Sequence, residues 1–104
     1  MIAHVTTFTW VEDVDPDDID RLAAALGRLP AVIDVLKGYS FGANLGLRPG
    51  TADFAVVALV ERPEQVAEYL DHPEHQKVVK ELSTHMTRQR QTVHFPWDSV
   101  VWPG

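Results

Sequence analysis

Cysteine is absent from the chain. That removes disulfide frameworks, thiol nucleophiles and zinc–thiolate sites, and it suits a reducing compartment. Long apolar runs are also lacking. A bilayer-spanning helix needs about 20 consecutive apolar residues, and no segment approaches that length. The N-terminus has no basic stretch leading into an apolar one, so no secretory signal is read there. A cytoplasmic protein with no membrane partner is expected. Positive charge is sparse, with 9 Lys and Arg against 15 Asp and Glu and a net charge of −6. Apart from a minor pair at Arg88 and Arg90 the cations are scattered. Without a basic stripe to track phosphates, nucleic acid is not expected as a partner. Gly38, Gly42, Gly46 and Gly50 are too dispersed to cradle a phosphate. H-E-x-x-H does not occur, and no cofactor or metal is expected.

What the sequence does contain is one domain's worth of ordinary globular composition: 104 residues, 45% of them apolar, enough for a single core. Ile2 to Val11 is rich in Val, Thr, Phe and Trp and reads as a strand. Asp15-Pro16-Asp17-Asp18 then has the form of a helix start, with Asp15 as N-cap and Pro16 in the first position. Ile19, Leu22, Ala23, Leu26 and Leu29 follow at helical spacing, and Pro30 is expected to close the helix or tighten its last turn. Val35 to Leu45 and Ala52 to Glu61 read as two further strands, joined through a turn at Gly46 to Gly50. Pro63 opens a second helical region that His72-Pro73 interrupts, because a residue before proline is pushed out of the α region. Beyond it His75, Val78, Val79, Leu82 and Met86 form an apolar stripe, and Thr87 to Phe95 reads as the last strand. Domain boundaries are placed at 1–97, with a tail at 98–104. Trp97 and Trp102, at the end of the chain, suggest docking on the body or on a partner.

Strand–helix–strand, repeated, predicts an α+β fold of ferredoxin-like β-α-β-β-α-β order, with an antiparallel four-stranded sheet and both helices on one face. The centre of the third strand, Phe54 to Val60, is apolar without alternation. Such a strand is buried on both sides. Two helices cover only one face, so a second copy of the chain is expected on the other, giving a homodimer.

Tyr69-Leu70-Asp71-His72-Pro73-Glu74-His75 is the stretch most suggestive of chemistry. On an unbroken helix, residues six apart point roughly 120° away from one another. The break before Pro73 lets Tyr69 and His75 face one space. A histidine in the first turn of a helix is kept neutral by the positive end of the helix dipole and can accept a proton. Tyr69 can orient it or hydrogen-bond a carbonyl or enolate oxygen. The plainer reading makes His75 a hydrogen-bonded packing residue. His72 and His75 also form an H-x-x-H pair, but it straddles the break and lacks a third ligand. His4 shares a strand face with Ile2, Thr6, Phe8 and Trp10. His85 and His94 are read as surface or packing residues. Trp10, Phe41 and Phe54 are core residues first and pocket-lining residues second.

Met1 to Val5, Phe41 to Leu45 and above all the Y-x-x-H-P-x-H stretch from Tyr69 to His75 resemble the stress-responsive α/β barrel (Dabb) family over residues 2–96. The resemblance implies a dimeric α/β barrel in which two ferredoxin-like sheets face each other. One branch, similar to plant olivetolic acid cyclase, closes linear polyketides by aldol condensation without a cofactor. In that branch the histidine matching His75 is the base, the tyrosine matching Tyr69 assists it, and the histidine matching His4 lies near the site. The chain departs from that enzyme at Ile19 and Leu22, where it has a phenylalanine and a tyrosine, and at Phe54, where it has a histidine. The resemblance therefore implies a cofactor-independent, cyclase-like or lyase-like enzyme acting on a polyketide or related carbonyl compound. His75, Tyr69 and His4 would be catalytic, and Phe8, Trp10, Ile19, Leu22, Phe41, Phe54 and Val79 would line a small-molecule pocket. The alternatives are a non-catalytic, stress-associated binding dimer and a cofactor-free monooxygenase.

Overall fold

The computed structural model describes residues 1–98 and Val101. The tail residue Trp102 lies outside the described residues. Strand β1 (Ile2–Trp10) leads into helix α1 (Pro16–Val32), then strands β2 (Gly38–Ala43) and β3 (Phe54–Val60). Helices α2 (Gln65–Leu70) and α3 (Pro73–Val78) follow. A π-helical turn (Val79–Ser83) and the short α4 (Thr84–Met86) then lead into β4 (Thr87–Pro96). The sheet order is β2-β3-β1-β4, with all pairs antiparallel. This is the ferredoxin-like α+β arrangement that the element order predicts.

Local chemistry explains the element boundaries. The Asp15 carboxylate accepts from the Asp17 backbone N–H at 2.9 Å, and Pro16 takes the first helical position, where a missing N–H costs nothing. Helix α1 runs two residues past Pro30 to Val32, rather than ending at the proline. The helix ends when Ile33 leaves helical geometry, its N–H still bonded to the Leu29 carbonyl at 2.9 Å. Strand β2 is shorter than its apolar span suggests. Leu36 turns back onto Ile33 (3.2 Å) before Lys37 joins the ladder through the Leu59 carbonyl. His72 is extended, with φ −60° and ψ 135°, and its Nδ1 accepts from the Glu74 N–H at 3.1 Å. The helical region is therefore interrupted where proline geometry requires it.

The core lies between the helices and one face of the sheet, around Leu22, Leu26, Leu29, Phe54, Val56, Ala58 and Val60. Along β3 the burial alternates. Phe54, Val56, Ala58 and Val60 are buried beneath the helices, while Ala55, Val57 and Leu59 on the far face are only half-buried in the single chain. The apolar strand is thus sealed on one side by its own chain. Across that far face Val57 is paired with Val5, and Val5 with Val93. Val93 and Phe95 are exposed there. At the end of β4 the Trp97 N–H donates to the Met1 carbonyl at 2.9 Å, and its ring packs near Phe95.

Candidate functional site

Antiparallel pairing carries one row of side chains straight across the helix-facing side of the sheet. His4 of β1 is opposite Ala58 of β3 and His94 of β4, and Ala58 is opposite Tyr39 of β2. The next row holds Thr6, Val56, Thr92 and Phe41, and the one after it Phe8, Phe54, Arg90 and Ala43. The polar members of these rows bond to one another. His4 Nδ1 lies 2.7 Å from His94 Nε2, and His4 Nε2 lies 3.1 Å from Thr6 Oγ1. Thr6 Oγ1 is in turn 3.1 Å from Thr92 Oγ1. His4 is only 6% exposed. Burial, then the neighbouring His94, His75 and Arg90, lowers its pKa from 6.5 to about 4, so the ring is neutral at pH 7.

The helical layer supplies the other half. When α2 stops, its last carbonyls lose their intrahelical partners. One of them, that of Leu70, is taken up by the next segment: His75 Nδ1 sits 2.9 Å away and the Gln76 amide nitrogen 2.6 Å away. A carbonyl only accepts, so Nδ1 carries the proton and donates it, and in the neutral ring Nε2 keeps its lone pair. Among the described residues no hydrogen bond occupies Nε2, and no unpaired side-chain nitrogen or oxygen is sealed away from solvent. Nε2 is therefore an open acceptor. Burial lowers the His75 pKa below its ordinary value, with Arg90 adding to the effect and the Leu70 carbonyl opposing it.

Tyr69, 2% exposed, packs its ring 4.6 Å from that of His75 and 5.9 Å from that of His4. Its hydroxyl is 2.7 Å from the Tyr39 hydroxyl. Burial pushes the Tyr39 phenol up to about 12 and the Tyr69 phenol further still. Both stay protonated, and within the pair one hydroxyl donates while the other accepts.

These groups surround one cavity of about 210 Å³. His4, Tyr69 and His75 line it, as do Phe8, Leu22 and Val79. Trp10, Ile19, Phe41 and Phe54 do not line it. Trp10 and Phe54 are buried in the core, and Ile19 and Phe41 pack against that core. Nine lining residues escape a reading of the sequence, among them the polar Arg90, Thr92 and His94 on β4, Thr6 on β1 and Ser83. Tyr39, bonded to Tyr69 but not itself in the lining, is missed as well. Alternation along β4 puts Arg90, Thr92 and His94 on one face. Only the β1–β4 register shows which face that is. The π-helical turn contributes Val79 and Ser83. Its wider winding brings Val78 and Ser83, five apart, onto the buried side, where the Ser83 carbonyl accepts from Thr87 Oγ1 at 2.6 Å. His72 and His75 spend their Nδ1 atoms on different backbone groups. Among the described residues no group of three or more metal-binding side chains forms.

The sheet order and the helix-covered cavity place the molecule among ferredoxin-like α+β proteins, some of which are dimeric. Residues 2–96 match the stress responsive A/B barrel domain model, Dabb, and the chain belongs to that family. A dimeric ferredoxin-like protein of unknown function from Thermobifida fusca is 40% identical, with 90% of this chain and 88% of that one covered at a TM-score of 0.82. A dimeric ferredoxin-like protein from Bacteroides fragilis, also of unknown function, is 26% identical over 92% of this chain and 95% of that one, at 0.79. A hydroxynitrile lyase from Passiflora edulis shares the fold, with 14% identity, 96% and 95% coverage and a TM-score of 0.80. No curated protein matches the chain.

Proposed function

We propose that this protein is a cofactor-independent enzyme of the cyclase or lyase kind, which removes a proton from the carbon next to a carbonyl group. The observation that carries this reading is the free Nε2 of His75, left bare in a cavity because the Leu70 carbonyl takes up Nδ1–H. In the proposed step Nε2 accepts the α-proton and the electron pair passes to the carbonyl oxygen. Tyr69 donates its O–H to that oxygen, and Tyr39 donates to Tyr69 from behind. An enolate formed this way can attack a second carbonyl of the same molecule. The new alkoxide then takes the proton back from His75, so ring closure balances without an oxidant or metal. His4, its two ring nitrogens held by His94 and Thr6, lies beside Tyr69 and serves as an uncharged wall of the site. The cavity lies below the roughly 300–1,000 Å³ of drug-sized sites, and a short carbonyl compound fits it better than a long polyketide. We further propose that the working form is a homodimer in which the far faces of two sheets meet, as the dimeric relatives suggest.

Proton–deuterium exchange at the α-carbon of phenylacetone, followed by NMR in heavy water, tests the chemistry without knowledge of the natural substrate. The wild-type protein should accelerate exchange. His75→Ala should reduce the acceleration by about 10²–10⁴-fold, the usual contribution of a positioned general base, while remaining folded. Exchange that is equally fast in the variant would rule out His75 as the base.

A further inference from the structure

The cavity has an electrostatic character that proton abstraction alone does not explain. Arg90 projects from the helix-facing side of β4, in the row of Phe8, and lines the cavity. No aspartate or glutamate is among the lining residues. The adjoining groove shares Phe8, Ser83 and Arg90 with the cavity, adds Arg88, and likewise has no acid. In a chain with 15 acidic and 9 basic residues, an acid-free concavity that holds two arginines runs against the overall charge. Among the described residues the ion pairs lie elsewhere, and Arg90 forms none. The remainder of the lining is largely apolar, from Leu22, Leu26, Val56 and Val78.

We propose that the site takes a small monocarboxylate, its apolar body against Leu22, Val56 and Val78 and its acid group held by Arg90 at the mouth. This names the substrate class for the site proposed above and rests on that site being a ligand pocket. A guanidinium presents a planar fork of N–H donors that matches a carboxylate with two parallel hydrogen bonds. Arg90 is the only lysine or arginine in the lining, so its guanidinium is the charge that orients the ligand. With the acid end at β4, the rest of the molecule extends beneath His75 and Tyr69. A phosphate monoester is less well matched: its second charge calls for a second cation, and Arg90 is the only lysine or arginine in the lining.

Phenylacetate and phenylacetamide share size and shape and differ in charge, so calorimetric titration of the wild-type protein with each isolates the acid group. Phenylacetate should bind at least about tenfold more tightly, and the preference should shrink as salt is raised. Arg90→Gln should bind the two alike, and Arg90→Lys should keep part of the preference, with circular dichroism unchanged in both. Phenyl phosphate should bind more weakly than phenylacetate. His75→Gln should retain the preference for the acid, so the carboxylate site can stand even if His75 proves not to be a base. Equal affinity for acid and amide, no binding of either, a preference that survives in Arg90→Gln, or tighter binding of phenyl phosphate would each overturn the assignment.

Discussion

Two phenol hydroxyls 2.7 Å apart determine what Tyr69 can offer a substrate. If Tyr39 donates, the Tyr69 O–H is free to bond a carbonyl oxygen; if Tyr69 donates, it is spent on structure. Either way each hydroxyl satisfies the other in a site that excludes most water. Removing one leaves its partner unpaired, a loss of about 1–3 kcal/mol. Tyr39→Phe and Tyr69→Phe should each lower stability on that scale, and the double variant should lose clearly less than their sum. Urea melts of the three variants read this coupling, and strictly additive losses would show that the hydroxyls do not depend on one another. At this scale the sequence is only partly legible. The proline break predicts that Tyr69 and His75 face one space, and alternation puts His4 on the same strand face as Thr6 and Phe8. Tyr39, Arg90, Thr92 and His94 were out of reach, because strand composition carries no register, and a shift of one residue turns every side chain to the other face. Assigning Trp10, Ile19, Phe41 and Phe54 to a pocket by residue type failed geometrically for a related reason. Trp10 and Phe54 are spent on the core and Ile19 and Phe41 pack against it, and residue type alone does not separate these from Phe8 and Leu22, which reach the cavity.

The elements were easier to read than their contacts. Asp15-Pro16 and His72-Pro73 are local signals, and each acts where it stands in the chain. The winding of the chain after Val78 had no local signal. A π-helical turn adds one residue to a circuit with no proline or glycine to mark it, and tertiary packing of Val78, Ser83 and Met86 selects it. The third strand teaches a different lesson. Its unbroken apolar run pointed to cover on both faces, yet in the single chain Ala55, Val57 and Leu59 are half-open, beside exposed Val93 and Phe95. The pattern records a need that one chain does not meet by itself. If the far face is the dimer contact, Val57→Asp places a charge where it must be desolvated. Light scattering should then report a dimer for the wild-type protein and a monomer for the variant. A wild-type monomer at micromolar concentration would refute the interface.

For the molecule as a whole, sheet and helices enclose a proton-accepting cavity, and the lowered pKa values of His4 and His75 tie the fold to pH. His4 titrates near 6.5 when unfolded and near 4 when folded, so the unfolded chain binds the extra proton first. The stability this contributes is complete above about pH 6.5 and is lost as pH falls through 4. At 1.36 kcal/mol per pH unit the loss is on the order of 3 kcal/mol at most, and the lowered pKa of His75 adds to it in the same direction. Whether the cavity holds a base at all depends on one proton. The measurement that addresses this most directly is a ¹⁵N NMR titration of the histidine rings in the folded protein. At pH 7 the expected spectrum has His75 protonated on Nδ1 and bare on Nε2, with a midpoint below 6.5 and that of His4 lower still. A charged His75 imidazolium at pH 7, or the opposite tautomer with the proton on Nε2, would contradict the account.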